Sequence, residues 1–314
     1  MIFEDITPFE TMSDDKLKMH IIPPKRIKTD IKDPRSAMML NPLKLKHLNN
    51  IDQLDADIVV INLEDGIAQS MKKRALLLTA VFLSHLQKSY SRIIVRVNPI
   101  DEGGAEEIKL LNPLKPDSIR VAKIRTPKDV QRVLDILDHD IALHISVETK
   151  EALENLSKLN IQNRVECASL GIMDMLNSLG LPHELLTFDN PTIHYLLSRF
   201  LIDAKIAGIY PIGFTYQEYL NTTSFRKWCL LEKKMGYTAK SCLGPKQVTI
   251  ANEIFVHDNT ALKRALYIKE RFEKMQADNI TGFMDTSFGF IDEPIYKDAL
   301  LTLEKFSVKY HHTD

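Results

Sequence analysis

Cysteine is scarce in this sequence: three in 314 residues, at positions 167, 229 and 242. They form no CxxC pair and have no histidines at zinc-finger spacing, which argues against a disulfide framework or a structural zinc and for a reducing, cytoplasmic setting. Net charge is equally scarce, since 41 Lys and Arg against 42 Asp and Glu leave −1. Without a basic surplus, a nucleic-acid or anionic-membrane partner has no electrostatic support. No apolar run is long enough to span a bilayer, and the acidic opening MIFEDITPFETMSDDK has no signal-peptide core. Glycine-rich phosphate loops of the GxGxxG and GxxxxGK[ST] types are missing, as is the GxSxG elbow of serine hydrolases.

What is present is ordinary globular material, 44% hydrophobic and 26% charged, arranged in a rhythm. Short apolar runs of strand type fall at 37–40, 58–63, 93–97, 118–122, 142–147, 167–170, 209–212 and 239–243. Longer segments of helical period separate them. In 72–86, for example, Ala75, Leu78, Phe82 and Leu86 share one face. Thr126-Pro127 opens another helix, with threonine as cap and proline where its missing N–H costs nothing. Eight strands alternating with helices over roughly 220 residues predict an α/β fold of the (β/α)8 TIM-barrel type. A doubly wound open sheet is the alternative, but it calls for a glycine-rich first turn. The expected organisation is an N-terminal arm over 1–34, a barrel over 35–257 and a helical extension over 258–314. Within the last stretch a polar, aromatic loop precedes a helix at 294–306.

In such a barrel the site is built at the carboxyl ends of the strands. Strand two ends in Glu64-Asp65, strand three in Arg96-Val97-Asn98-Pro99 and strand four in Lys123. Strand five ends in Glu148-Thr149, and strand six in Gly171 with Asp174 close behind. Glu148 and Asp174 suit a hard divalent cation, which takes oxygen ligands. Arg96 suits a substrate carboxylate, whose two oxygens match its fork of donors. Glu64 and Asp65 would hold metal-bound water or orient Arg96. Each residue also has a plainer reading. Glu148 could begin the following helix, Asp174 could cap one, Arg96 could be an ion-paired strand end and Lys123 a solvated surface residue.

At these residues the chain resembles the HpcH/HpaI aldolase and citrate lyase β-subunit superfamily, in its citrate-lyase-β-like branch. The segments that carry the resemblance, in order, are PRSAMML, INLEDGI, VRVNP, ISVETKEAL, LGIMDMLNSLG, CLGPKQVTIANEIF and GFIDEPIYKDAL. The chain departs from the family pattern at Asn41-Pro42, at Asn62, at Gly213 (where an acid is usual) and at Gly244 (where a histidine is usual). The resemblance implies a TIM barrel assembled as a homotrimer or hexamer, with Mg²⁺ held by Glu148 and Asp174. It implies substrate contacts from Arg35, Arg96, Lys123 and Gly171, and catalytic roles for Arg96, Glu64, Asp65 and Asp292, the last acting from a neighbouring subunit. The implied function is a Mg²⁺-dependent C–C lyase or aldolase, with thioester hydrolysis as a neighbouring activity. Its substrate would be a hydroxy-acyl-CoA thioester (citryl-, malyl- or citramalyl-CoA-like) or a small hydroxy or oxo acid. The missing acid and histidine motivate the alternative of a drifted accessory barrel that binds an oxo-acid or a protein partner.

Overall fold

The computed structural model describes residues 1–29, 31, 33–256 and 259–310. These fall into two compact units, Met1–Phe255 and Val256–Asp314.

The first unit is a barrel of eight strands: β1 (Ser36–Leu40), β2 (Ile58–Asn62), β3 (Arg92–Val97), β4 (Ser118–Val121), β5 (Ala142–Val147), β6 (Val165–Leu170), β7 (Tyr210–Ile212) and β8 (Lys240–Cys242). They run β7-β6-β5-β4-β3-β2-β1-β8, and every hydrogen-bonded pair is parallel. Strands covered on both faces read as continuous apolar runs, and β2 and β3 are buried at every position. Ala37, Ile58, Val60, Ile94, Ile212 and Ala239 form a small cluster of their own, separate from the larger core under the helices. The helix over Pro127–Leu134 is capped as expected: Thr126 and Asp129 form a capping box.

Closure of the barrel depends on Gly213. Its N–H donates to the carbonyl of Ala239 at 3.0 Å, and its carbonyl accepts from Ser241 N at 3.1 Å. A Cβ at 213 would lie 2.3 Å from Glu232 Oε2, so a side chain there would force the Glu232 carboxylate out of its place. Glu232, on the helix Thr222–Met235, pairs with Lys240 of β8 at 2.6 Å, and both side chains are 0% exposed. Lys240 Nζ also sits 3.3 Å from the centroid of the Phe214 ring. The acid absent from position 213 is thus replaced, in space, by one from the next helix.

The N-terminal arm is more tightly held than its mixed composition suggests. It contains helices Thr7–Thr11 and Asp14–Met19, and Phe9 and Leu17 join the core. Arg74 donates to the carbonyls of Phe9 (2.7 Å), Glu10 (2.9 Å) and Met12 (2.8 Å), satisfying the end of the first helix. Arg26 pairs with buried Asp117 at 2.7 Å.

The second unit has helices Asn259–Ala277 and Glu293–Tyr310 around a core of Ala265, Ile268, Phe272, Ile291 and Ala299. The segment expected as a loop is a hairpin, β9 (Gly282–Asp285) paired antiparallel with β10 (Gly289–Asp292). Its turn is set by Asp285, whose Oδ1 accepts from Ser287 N and Phe288 N, and by Gly289 at φ 75°. The near-repeat GFMD and GFID was the available signal.

Candidate active site

Arg96 ends the inward row of β3 and lies at the centre of the site. Its Nη2 donates to Glu148 Oε1 at 2.7 Å, and the same nitrogen lies 2.8 Å from Glu64 Oε2 and 3.4 Å from Asp65 Oδ2. Lys123 Nζ lies 3.4 Å from Glu64 Oε1. Burial alone would lower the Arg96 pKa, but the charges of Glu148, Glu64 and Asp65 outweigh it and hold it above the ordinary value. Burial, then the hydrogen-bonded Asp65, push Glu64 up to about 7. Burial also works to raise Asp65, but its bond with Glu64, with Arg96 and Lys123 beside it, holds it low. Asp174 is raised, by burial first and then by the charges of Glu148 and Asp65.

The local folding shows why these side chains point inward. Thr149 caps the helix Lys150–Asn155 through Ala152 N (3.2 Å), which leaves Glu148 free to turn into the barrel. Gly171 makes room for it, because a Cβ there would lie 2.4 Å from Glu148 Cγ. Asp174 stands in the first turn of Ile172–Leu179, whose N-cap is Gly171, and it lines the cavity described below. The pair Glu64-Asp65 is held by Lys72, whose Nζ donates to the carbonyls of Leu63 (2.8 Å) and Glu64 (2.5 Å) and to Asn98 Oδ1 (2.7 Å). Asn98 is fixed in turn by Glu107 at 2.5 Å. Lys123 has φ 54°, a left-handed backbone that a lysine adopts only where its surroundings impose it.

Asp65, Arg96, Glu148, Gly171 and Asp174 line a cavity of about 360 Å³, together with Asn62, Arg120, Ser146, Ser169 and Ser241. Glu148 Oε2 is buried and has no partner among the described residues, and the same holds for Arg96 Nε, Arg120 Nε and Ser146 Oγ. A buried carboxylate oxygen without a donor is costly unless something occupies it. With Asp174 on the same cavity wall, the oxygen-only donor set fits a hard cation such as Mg²⁺. A second groove of about 700 Å³ shares Met39, Asn62, Asp65 and Leu243 with the cavity and is edged by Lys44, Lys46 and His47.

The structure therefore brings together Glu64, Asp65, Arg96, Lys123, Glu148, Gly171 and Asp174. Arg35 is corrected: it precedes β1, at the amino ends of the strands, where its Nε and Nη2 both bind Asp57 at 2.8 Å. Asp292 belongs to the second unit, ends β10 and accepts from Ile295 N at 3.2 Å, which starts the last helix. Lys72, Asn98, Arg120, Ser146 and Ser169 were missed in the sequence. The last three lie on three successive strands, and it is the pairing of those strands that sets them side by side.

A sequence profile described as HpcH/HpaI aldolase/citrate lyase matches residues 35–245. The chain is 25% identical to a (3S)-malyl-CoA thioesterase of Cereibacter sphaeroides over 70% of its own length and 76% of that protein's. It is 27% identical to the citrate lyase subunit beta of Haemophilus influenzae over 86% of its own length and 96% of the relative's. Among solved structures, protein CitE from Mycobacterium tuberculosis, in complex with magnesium, acetoacetate and coenzyme A, shares the fold. Its TM-score is 0.66 at 16% identity, covering 87% of this chain and 98% of that one. With the barrel, its strand-end acids and a profile match over most of the chain in agreement, the chain belongs to the HpcH/HpaI aldolase/citrate lyase family.

Proposed function

We propose that this protein is a Mg²⁺-dependent carbon–carbon lyase acting on a hydroxy-acyl-CoA thioester, with hydrolysis of such a thioester as a neighbouring activity. The observation that carries the reading is the unpartnered, buried Glu148 Oε2, set beside Asp174 and Arg96 in a cavity adjoining a larger groove. Glu148 and Asp174 would hold the cation. When bound, it supplies electrophilic stabilisation of negative charge on the substrate's oxygen.

In the cleavage direction the hydroxyl loses its proton and the bond to the carbon beside the thioester carbonyl breaks. An oxo-acid departs, and that carbon takes up a proton. Arg96, held by Glu64 and Glu148, presents fixed positive charge to the oxygen that becomes the carbonyl. Lys123, 3.4 Å from Glu64, helps to hold that acid in place. The groove along Lys44, Lys46 and His47 suits an anionic acyl carrier. We assign Asp292 the proton transfer at carbon, delivered between copies of a homo-oligomer, and place the protein in the cytoplasm, where its three buried cysteines stay reduced. The space at the two glycine departures is filled: Glu232 occupies the space beside Gly213, and Tyr219 packs where a Cβ on Gly244 would lie, 2.5 Å from its ring. That favours an active enzyme over a drifted accessory barrel.

The test is turnover of malyl-, citramalyl- and citryl-CoA with and without Mg²⁺, following oxo-acid and free CoA separately. Oxo-acid release identifies the lyase, and CoA release without acyl-CoA product identifies the hydrolase. Absence of metal-dependent turnover on all three sinks the reading. Asp292→Asn is expected to slow turnover while leaving ligand binding intact, and normal turnover rejects its role.

A further inference from the structure

Arg120 is a cation that nothing so far explains. It lies on β4 beside Arg96, with which it is in register, and is 5% exposed. Arg96 is surrounded by three carboxylates, whereas no carboxylate among the described residues lies within ion-pair distance of Arg120. A guanidinium carries five donors. Here one of them is used, Nη1 to Ser169 Oγ at 3.1 Å, while Nε is buried without a partner. Ser146 Oγ, on the next strand and on the same cavity, is also unpartnered. Burial and the like charge of Arg96 push Arg120 down to about 9, which still leaves it protonated at neutral pH. A buried, charged, unpaired guanidinium is among the costliest groups a fold can keep. The barrel keeps it on the wall of the one cavity that also holds the unpartnered Glu148 oxygen.

We propose that Arg120, with Ser146 and Ser169 beside it, receives a second carboxylate, so that the acid portion of the substrate is a dicarboxylate rather than a monocarboxylate. This rests on the cavity being the substrate site described above, and it narrows the substrate class. Arg96, whose Nε is still unpartnered on the same cavity, serves the reacting oxygen and the carboxylate beside it. Arg120 serves the far end of the acid. A monocarboxylic acid would leave the guanidinium and the Ser146 hydroxyl without partners, a discrimination that sites built to bind a polar group enforce strongly.

The experiment is calorimetric titration of the full chain, with Mg²⁺, by L-malate and L-lactate, two stable hydroxy acids that differ in the second carboxylate. The wild type is expected to bind malate about tenfold to a hundredfold more tightly than lactate, the worth of one hydrogen bond to a charged group. Arg120→Met is expected to bring malate down to the level of lactate and leave lactate unchanged, and Arg120→Lys to recover part of the difference. A merely structural arginine would affect both acids alike. An Arg120→Met protein that keeps the malate preference, or a wild type without one, overturns the proposal. Should neither acid bind in the presence of Mg²⁺, the metal-dependent reading of the site fails. Succinate without metal then decides on Arg120 alone: stabilisation of the wild type against heat that Arg120→Met and not Arg120→Lys abolishes upholds the anion site, and its absence overturns it.

Discussion

Strand β3 carries two arginines four residues apart, Arg92 and Arg96, both in the inward row, and they meet opposite treatment. At the amino end of the barrel, Arg92 binds one acid with both terminal nitrogens: Glu166, which also bonds His144 Nε2 at 3.2 Å. Burial works to raise the Glu166 carboxyl, but the His144 and Arg92 bonds outweigh it and hold it far below the ordinary value. Neither Arg92 nor Glu166 has a buried unpartnered polar atom. At the carboxyl end, Arg96 is shared among three acids through one nitrogen, and Arg96 Nε and Glu148 Oε2 are left without partners. The same residue type on the same strand is a closed structural link at one end and an incomplete assembly at the other. Incompleteness, rather than charge, marks the site.

That contrast is open to attack. The largest expected effect is at Glu148: Glu148→Ala is expected to cut Mg²⁺ affinity and turnover by more than about a hundredfold, beyond the loss typical of groups that only orient a ligand. Calorimetry and steady-state kinetics measure it, and undiminished Mg²⁺ binding refutes the ligand assignment. Gly171→Ala comes next. Its new Cβ must push Glu148 aside from 2.4 Å, so Mg²⁺ affinity is expected to fall about tenfold or more with little loss of stability. Glu64→Gln is expected to weaken Mg²⁺ binding by about tenfold or less, and less than Glu148→Gln does, because Glu64 pairs with Arg96 and does not line the cavity. A larger loss for Glu64→Gln would reverse their roles.

The smallest effect belongs to the closed end. Glu166→Gln is expected to lower stability at neutral pH by about 1 kcal/mol, a buried-pair loss discounted because that side chain is 37% exposed. It should leave turnover per folded molecule unchanged. The sign with pH follows from the depressed carboxyl. Its stabilisation is present above the unfolded value of 4.5 and is lost as pH falls below 4.5 towards the folded value. Urea titrations at pH 7 and pH 3 should show the gap between wild type and variant closing in acid; a gap that widens in acid contradicts the assignment.

The barrel was legible because strands buried on both faces leave uninterrupted apolar runs, and because Thr126-Pro127 states a helix start in two letters. The polar residues at the strand ends, which the fold gathers at one end of the barrel, were legible as the places where apolar runs stop, although each could also be read as a cap or a surface residue. Arg120 was not, since inside SIRVA it interrupts the run once and is indistinguishable from an edge residue until its neighbours are known. Arg35 misled in the opposite way. Its neighbour in the fold, Asp57, is 22 residues away, and the salt bridge that holds it at the foot of β1 has no local trace. Arg92 and Arg96 sit in one hexapeptide, RIIVRV, and only the pairing of β3 with the surrounding strands tells them apart.

Gly213 and Glu232 occupy one volume, and this has a consequence for descent. A side chain at 213 would displace the carboxylate at 232, and loss of Glu232 would leave Lys240 buried without a counter-charge. Each step alone is costly, so the two positions are expected to change together.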